Sequence, residues 1–251
     1  MSEIPDLAVM AKNLEKRLVN HTVKDVVLHV SKNANATENG FYGALVNHKI
    51  KSLCREGKDL HIEIGDHILA LRLMLHGELR LVVAEFPKFP IFELDFGGMR
   101  LCLTDFQSQA RPILNPDPVV VPDALDVSFT FFHQMLERKK SDIKAVLTDQ
   151  KNIRGIGNAY ADEILYDAGI APHSIANKVP AEKLFKSMRT VLIQAIERIG
   201  MSDPDRITGE NRSFMKVHLP DKLQTLKGET ILVDKKGTRK SYYVKSQSFY
   251  K

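Results

Sequence analysis

A glycine-rich turn ahead of a helical pattern supplies the groups needed to bind a phosphate. Within residues 149–172, Gly155 and Gly157 flank one isoleucine, and Asn158 and apolar residues at helical spacing follow. Glycines there let a phosphate approach backbone N–H groups, and the positive end of the helix dipole favours its charge. The pattern predicts a phosphate clamp formed by Gly157 and Asn158. From the spacing alone, an alternative is at least as well supported as the clamp: the glycines allow two helices to pack closely.

The same segment resembles the signature of a known DNA-binding family. It contains Asp149-Gln150-Lys151, Gly155-Ile156-Gly157-Asn158, Tyr160 and Asp162-Glu163, and so resembles the helix–two-turn–helix motif of the formamidopyrimidine-DNA glycosylase and endonuclease VIII family. The resemblance extends along the chain in the family's order: N-terminal helix and β-sandwich, helical DNA-binding segment, β-hairpin finger. It implies a DNA glycosylase and AP lyase of base excision repair that requires no cofactor.

The first six residues contain the groups that the resemblance identifies as catalytic. Family members typically begin Met-Pro-Glu-Leu-Pro-Glu, whereas this chain begins Met1-Ser2-Glu3-Ile4-Pro5-Asp6. Removal of Met1 from before a small residue would expose a primary amine at Ser2, where the family has its nucleophilic proline. Such an amine can form a Schiff base with the sugar, and Glu3 can donate and accept protons beside it. For a carboxylate at this position, the alternative role is a helix N-terminal charge.

Three further residues are implied to contact DNA. Lys58 falls on the family's lysine that holds the phosphates flanking the lesion, and Arg239 falls on the finger arginine that grips phosphates around the flipped nucleotide. Leu75 stands in the turn where the family has a methionine that fills the gap in the base stack, so it is predicted to act as an apolar wedge, a role that the neighbouring Met74 could also take. Packing in the core is the alternative for Leu75, and a solvated side chain is the alternative for Lys58.

Two departures from the family pattern change the expected specificity and the expected metal content. The stretch Asp105-Phe106-Gln107-Ser108-Gln109-Ala110 lacks, in register, the arginine and phenylalanine that assist the gap-filling methionine. We therefore expect loose opposite-base preference and action on distorted DNA, where extrusion of a base costs less. Lys222, Thr225, Val244 and Gln247 fall near the positions of the finger's four zinc-binding cysteines. The resemblance therefore implies a zincless finger without bound metal.

Hydrophobic periodicity predicts the elements that position these residues. Apolar residues between Leu7 and Leu18 recur at the three-and-four spacing of one helix face, and the run ends near Asn20. Short alternating runs over 23–103 indicate a β-sandwich or barrel. Four prolines within 111–124 indicate an extended connection and a domain boundary. Helical periodicity returns over 127–198, and the last forty residues indicate a β-hairpin.

The predicted fold is therefore α+β with two domains. An N-terminal helix and a β-sandwich occupy residues 1–118, and a helical helix–two-turn–helix DNA-binding domain occupies residues 119–213. A β-hairpin, the zincless finger, occupies residues 214–251. By resemblance, the protein is expected to be a monomer.

Composition and charge limit the class of protein. Hydrophobic residues make up 43% and charged residues 27% of the chain, which is ordinary for a globular protein, and no apolar run is long enough to cross a bilayer. The N-terminus has no basic leader with an apolar core, and two distant cysteines, both expected to be buried, give no disulfide framework. These features predict a cytoplasmic protein without a membrane partner.

The basic residues are concentrated near the C-terminus. Residues 212–251 hold ten Lys or Arg against three acids, in a chain whose net charge is +5. This asymmetry favours a polyanionic partner, although a basic tail is also commonly a solvated surface. With the resemblance, it predicts binding to double-stranded or distorted DNA that contains a damaged base or an abasic site.

A non-catalytic protein that binds damaged or distorted DNA is the alternative hypothesis. The loss of the N-terminal proline favours this alternative, whereas the retained Glu3 favours the glycosylase and lyase. RNA binding is a more distant third possibility, which competition between matched DNA and RNA ligands would test.

Overall fold

The computed structural model describes residues 2–236 and 239–251, apart from the side chains of Lys236 and Arg239. Contacts divide the chain into two compact units. The first comprises residues 1–118 and 198–210, and the second comprises residues 119–197 and 211–251. The segment 198–210 is thus grouped with the N-terminal unit. The predicted boundaries after residues 118 and 213, which divide the chain into three segments, stay a prediction.

The first unit is built from two helices and two four-stranded antiparallel sheets. Its helices are α1 (Ile4–Leu18) and α2 (Glu38–Leu45), and its strands are β1 (Asp25–Leu28), β2 (Ile50–Glu56), β3 (Asp59–Ile64), β4 (His67–Arg72), β5 (Glu78–Val82), β6 (Pro90–Asp95), β7 (Arg100–Thr104) and β8 (Arg111–Leu114). The strand orders are β1-β6-β7-β5 and β2-β3-β4-β8. Buried apolar side chains from both sheets and both helices form one core, which confirms the predicted N-terminal helix and β-sandwich.

Two segments of this unit differ from the sequence-based expectation. Helix α2 lies inside the region predicted to contain only strands, and Thr37 caps it by accepting a hydrogen bond from the Gly40 N–H at 3.2 Å. Arg111–Leu114, predicted as part of an extended connection, forms the edge strand β8, with Pro112 opposite Leu71. An edge strand tolerates proline because one side of its backbone needs no partner strand.

The two cysteines lie in different environments. Cys102 on β7 is buried, and this burial raises the pKa of its thiol to about 12. Cys54 on β2 is exposed, so the expectation that it would be buried is wrong. The reason is that β2 is an edge strand, and alternate side chains of such a strand point away from the core.

The turn between β4 and β5 depends on a glycine. The Gly77 N–H donates a hydrogen bond to the Leu73 carbonyl at 2.8 Å, and Met74 adopts a left-handed conformation with φ 56°. A Cβ atom on Gly77 would lie 2.1 Å from the Leu73 carbonyl oxygen. The turn therefore requires glycine at this position, and it holds Leu75 at its tip.

The second unit is helical and ends in an antiparallel hairpin. Its elements are the helices α3 (Phe129–Glu137), α4 (Ile143–Thr148), α5 (Asn158–Ala168) and α6 (Ala181–Ser202), a short 3-10 helix (Ala176–Lys178), and the strands β9 (Ile231–Lys236) and β10 (Arg239–Val244). The last residues of α6, from residue 198 onward, are grouped with the first unit. This arrangement confirms the predicted helical domain with a β-hairpin. Within the described residues, no helix has the length and apolar character needed to cross a membrane.

A buried ion pair joins this hairpin to the helices. Lys144 Nζ on α4 lies 2.7 Å from Asp162 Oδ1 on α5 and donates a hydrogen bond to the Lys240 carbonyl at 2.7 Å. Asp162 Oδ2 accepts a hydrogen bond from the Tyr242 N–H at 3.2 Å, and His218 Nδ1 lies 2.8 Å from the same oxygen. One lysine and one aspartate thus connect α4, α5 and β10.

At two of the four positions where the family pattern has zinc-binding cysteines, Thr225 and Gln247, the side chain makes hydrogen bonds. The Thr225 hydroxyl accepts from the Glu229 N–H at 3.3 Å. Gln247 Oε1 accepts from the Val244 N–H at 2.8 Å, and Gln247 Nε2 donates to the Ile170 carbonyl at 2.7 Å. Across residues 2–236 and 239–251, no three His, Cys, Asp or Glu side chains are grouped as a metal site. Hydrogen bonds and apolar packing hold the described part of this hairpin.

Replacing Gly77 with alanine should destabilise the first unit. The new methyl group meets the Leu73 carbonyl, and overpacking of this kind costs about 1–3 kcal/mol. Gly43→Ala is the matched control, because Gly43 lies in α2 and a Cβ there meets nothing within 4 Å. Urea unfolding measures both variants. Equal stability of the two proteins would contradict the role given to Gly77.

Replacing Lys144 with methionine should destabilise the second unit. The change leaves the Asp162 carboxylate buried without its cation, and breaking a buried pair in this way typically costs about 3–5 kcal/mol. Lys186→Met, at an exposed position of α6, should change the free energy of unfolding by less than about 0.5 kcal/mol. Chemical unfolding followed by circular dichroism compares them. A Lys144→Met protein as stable as the control would show that the pair does not hold the hairpin.

Candidate functional site

A cavity of about 630 Å³ lies in the first unit. The N-terminus, the β4–β5 turn, the β5–β6 loop and the β7–β8 loop contribute to its walls, and so do residues 209 and 210. Ser2 and Leu75 both line it. The structure thus brings together the predicted nucleophile and the predicted wedge.

The N-terminus is held at this cavity by α1. Glu3 is the N-cap of the helix, where its carboxylate accepts from the Asp6 N–H and the Asp6 carboxylate accepts from the Glu3 N–H at 3.5 Å. Ser2 and Glu3 are only 8% and 3% exposed. Among the described residues, Ser2 belongs to the cavity lining and Glu3 does not. Glu3 is therefore fixed at the helix N-terminus, directly beside the residue predicted to be the nucleophile.

Leu75 and Phe106 project from neighbouring loops at the cavity. Leu75 is 51% exposed at the tip of its turn, which excludes the alternative that it packs in the core. The Phe106 ring lies with its centroid 4.6 Å from that of His76 and is 58% exposed. The stretch that lacks the family's arginine and phenylalanine in register therefore still presents an aromatic ring, immediately after Asp105.

Lys58 lies at the turn between β2 and β3. Gly57 has φ 60°, and its carbonyl accepts a hydrogen bond from Arg55 Nη1 at 2.8 Å. Asp59, on the other side of Lys58, accepts two hydrogen bonds from Arg72 at 2.7 and 2.5 Å. The turn is therefore braced on both sides of the lysine. Lys58 is half-buried and is not one of the described residues that line the cavity.

The predicted phosphate clamp lies in the second unit at the start of α5. Gly157 is the N-cap in an extended conformation, and Asn158 is the first helical residue. Asn158 Nδ2 donates to the Lys240 carbonyl at 3.1 Å, and its buried Oδ1 has no hydrogen-bond partner among the described residues. The structure thus places Asn158 beside β10, the strand that begins at Arg239. The Arg239 side chain lies outside the described part of the chain.

The turn that leads into α5 is fixed by one glutamine. Gln150 Oε1 accepts from the Gly155 N–H at 2.8 Å, and Gln150 Nε2 donates to the Ile156 carbonyl at 2.9 Å. Gly155 adopts φ 96°, a left-handed value that favours glycine. The first glycine of the motif is therefore required by the backbone, whereas Gly157 has an ordinary extended conformation.

Two groups of residues at or behind the candidate sites did not emerge from the sequence. The first is Phe86 and Phe89, which line the Ser2 cavity from the β5–β6 loop. Two phenylalanines within Phe-Pro-Lys-Phe-Pro, a turn-like segment outside any strand pattern, were the signal that could have identified them. The second is the buried pair Lys144 and Asp162, which no spacing rule connects.

Two family models match the chain. The formamidopyrimidine-DNA glycosylase N-terminal domain matches residues 1–111, and the formamidopyrimidine-DNA glycosylase H2TH domain matches residues 114–205. Together they cover most of the chain, and the junction between them lies within the proline-rich segment.

Curated relatives and solved structures agree with these matches. The formamidopyrimidine-DNA glycosylase of Carboxydothermus hydrogenoformans is 33% identical over 230 residues, 86% of each chain, and that of Heliobacterium modesticaldum is 30% identical over 238 residues, 84% of each chain. A complex of the Lactococcus lactis Fpg with DNA containing an abasic site has a TM-score of 0.87 at 23% identity, over 97% of this chain and 98% of that one. That structure shows a shared fold. The chain therefore belongs to the formamidopyrimidine-DNA glycosylase and endonuclease VIII family.

Proposed function

We propose that this protein is a DNA glycosylase with AP lyase activity that acts in base excision repair on damaged or abasic DNA. The observation that carries the proposal is the position of Ser2, held by α1 at a cavity of the N-terminal unit. Support also comes from family membership and from relatives named formamidopyrimidine-DNA glycosylase. As such an enzyme it would work in the cytoplasm, on chromosomal DNA.

The chemistry requires one amine and one group that moves protons. After loss of Met1, the Ser2 nitrogen attacks the sugar C1′, and the bond from C1′ to the base breaks as the base leaves with a proton. The C1′–O4′ bond then breaks, O4′ takes a proton, and an iminium forms between the nitrogen and C1′ of the opened sugar. At an abasic site the same bond forms with loss of water. Removal of a C2′ proton then allows the C3′–O bond to break, which nicks the strand. Glu3 is the residue that donates and accepts these protons.

The first turn of α1 favours a reactive amine at Ser2. The helix begins at Ile4, so the positive end of its dipole lies next to the N-terminus and disfavours a protonated amine there. Only an unprotonated amine can attack. The capped helix thus both positions the nucleophile and supports its neutral form.

The remaining candidate residues bind the DNA backbone and fill the vacated stack. Lys58, Asn158 and Arg239 contact phosphates, with Gly157 allowing close approach at the start of α5. Leu75, half-exposed at its turn, is the wedge that enters the space of the extruded nucleotide. The protein acts as a monomer and binds double-stranded or distorted DNA.

One observation favours the second candidate function, a non-catalytic protein that binds damaged DNA. The Glu3 carboxylate accepts a hydrogen bond from the Asp6 N–H, which is a sufficient structural reason for a glutamate at this position. A protein that retained only the fold and the phosphate contacts would still keep Glu3.

Borohydride trapping on an oligonucleotide with one abasic site separates the two functions. The tag-free protein, with loss of Met1 verified by intact mass, should form a covalent adduct. Ser2→Pro should still form it, an N-terminal extension should not, and Glu3→Gln should slow the reaction by about 10²–10⁴-fold. Tight binding without any adduct would reject the enzyme and support the non-catalytic protein.

Replacement of the backbone-binding residues should change the salt dependence of affinity. Arg239→Ala should lower the slope of log Kd against log salt by about one, because one phosphate contact is lost. Asn158→Ala should weaken binding without changing the slope, since asparagine is neutral. Lys186→Ala, at an exposed position of α6, is the charge-matched control. Equal slopes for Arg239→Ala and wild type would remove Arg239 from the interface.

A further inference from the structure

We propose that the β5–β6 loop, residues 83–89, is a stacking platform for an unpaired nucleobase of DNA. The proposal rests on the proposed function, because it adds a base-binding surface to the cavity that holds Ser2. Its central residues are Phe86 and Phe89, which line that cavity and are 82% and 60% exposed. Together with Phe106, they bring three exposed rings to one opening. Several exposed aromatic rings that line one cavity, beside polar groups, are typical of a ligand-binding site.

Phe86 is exposed but held in place. The Arg100 guanidinium lies 4.4 Å from the centre of its ring. Arg100 is itself fixed, because it pairs with Glu93 at 2.8 Å and donates to the Glu85 carbonyl at 2.9 Å. A cation against an aromatic ring attracts it. The loop therefore presents the ring in a defined position, which lowers the entropy lost when a flat ligand stacks on it.

Phe89 is also held in an unusual conformation. Its φ is 56°, in the left-handed region that a bulky side chain rarely adopts, and its carbonyl accepts from the Asp105 N–H at 3.0 Å. The Asp105 carboxylate in turn accepts backbone N–H groups of residues 107, 109 and 110. The hydrogen bonds thus tie the β5–β6 loop to the loop that carries Phe106. A strained residue held out of the core by such bonds is typical of functional surfaces.

The charges around the loop favour a base over a phosphate as the bound group. Residues 83–89 contain one acid, Glu85, and one base, Lys88. Nearby, Arg80 pairs with Glu78 at 3.0 Å, and Arg100 pairs with Glu93. The loop therefore offers no surplus positive charge for a phosphate. Exposed aromatic rings without surplus charge suit the neutral face of a nucleobase, and every base has such a face.

The base must be unpaired, because a paired base within a duplex has both faces covered by its neighbours. An abasic site leaves the base opposite to it without a partner. Since Ser2 at the same cavity is the group proposed to attack the abasic sugar, unpaired bases lie close to this loop when the sugar is engaged. The platform would favour DNA that is already distorted.

The test compares Phe86→Ala and Phe89→Ala with wild type on two duplexes of one sequence, one fully paired and one with a single abasic site opposite 2-aminopurine. Each variant should bind the abasic duplex about 5- to 150-fold more weakly, the range measured for loss of one aromatic stacking partner. Affinity for the paired duplex and the salt slope should not change, because no charge is removed. Stacking on wild type should quench 2-aminopurine fluorescence, and the variants should quench it less.

Two further variants control for folding and for general loss of a ring. Phe86→Tyr retains the ring and should bind as wild type does. Phe249→Ala removes another exposed ring that has a cation nearby, Lys251 Nζ at 5.7 Å, and should leave the preference for abasic DNA unchanged. Melting temperatures of all variants identify any that unfold.

Several outcomes would overturn the proposal. Unchanged affinity and quenching in both alanine variants would do so, and so would an equal loss on both duplexes. A loss of self-association in the variants, without loss of base quenching, would assign the rings to contact between two copies of the chain. Borohydride trapping on the abasic duplex keeps the two proposals distinct. Normal trapping with no stacking defect rejects only the platform, whereas no trapping by wild type rejects the lyase.

Discussion

The burial of α1 is the constraint on which the candidate active site depends. Leu7, Met10, Leu14 and Leu18 are almost completely buried in the core shared with both sheets. Burial of each such side chain contributes roughly 1.5–3 kcal/mol, so the helix cannot shift along its axis without a large loss of stability. The helix start is therefore fixed, and Ser2 two residues before it is fixed at the cavity. A nucleophile on a flexible terminus would lose this advantage.

In the second unit, a buried ion pair fixes the hairpin to the helices. A buried ion pair is stable only when other hydrogen bonds satisfy its remaining donors and acceptors. Lys144 and Asp162 meet this condition through the backbone of β10. The Lys240 carbonyl accepts from both Lys144 and Asn158, so Asn158 and the hairpin belong to one network. Polar contacts thus connect the hairpin to the helices without zinc-binding cysteines.

The two units present different chemistry to a nucleic acid. The first offers a cavity with exposed rings whose neighbouring charges are largely paired. The second contains the strongly basic stretch 212–251. Phosphate contacts supply affinity and orientation irrespective of sequence, whereas stacking responds to whether a base is paired. A protein with both can bind DNA generally and still distinguish a damaged place from intact duplex.

The sequence by itself determined the family, the local motifs and the order of the main elements, but not helix α2 or strand β8. Helical spacing identified α1, alternation identified the strands, and the run around Gly155 and Asn158 identified the start of α5, because each depends on neighbours along the chain. Tertiary structure alone decided which distant residues meet. Phe86 reaches the Ser2 cavity because β5 pairs with β7, and Lys144 meets Asp162 because α4 packs against α5. Local patterns specify elements, whereas contacts between residues far apart in sequence depend on how those elements pack.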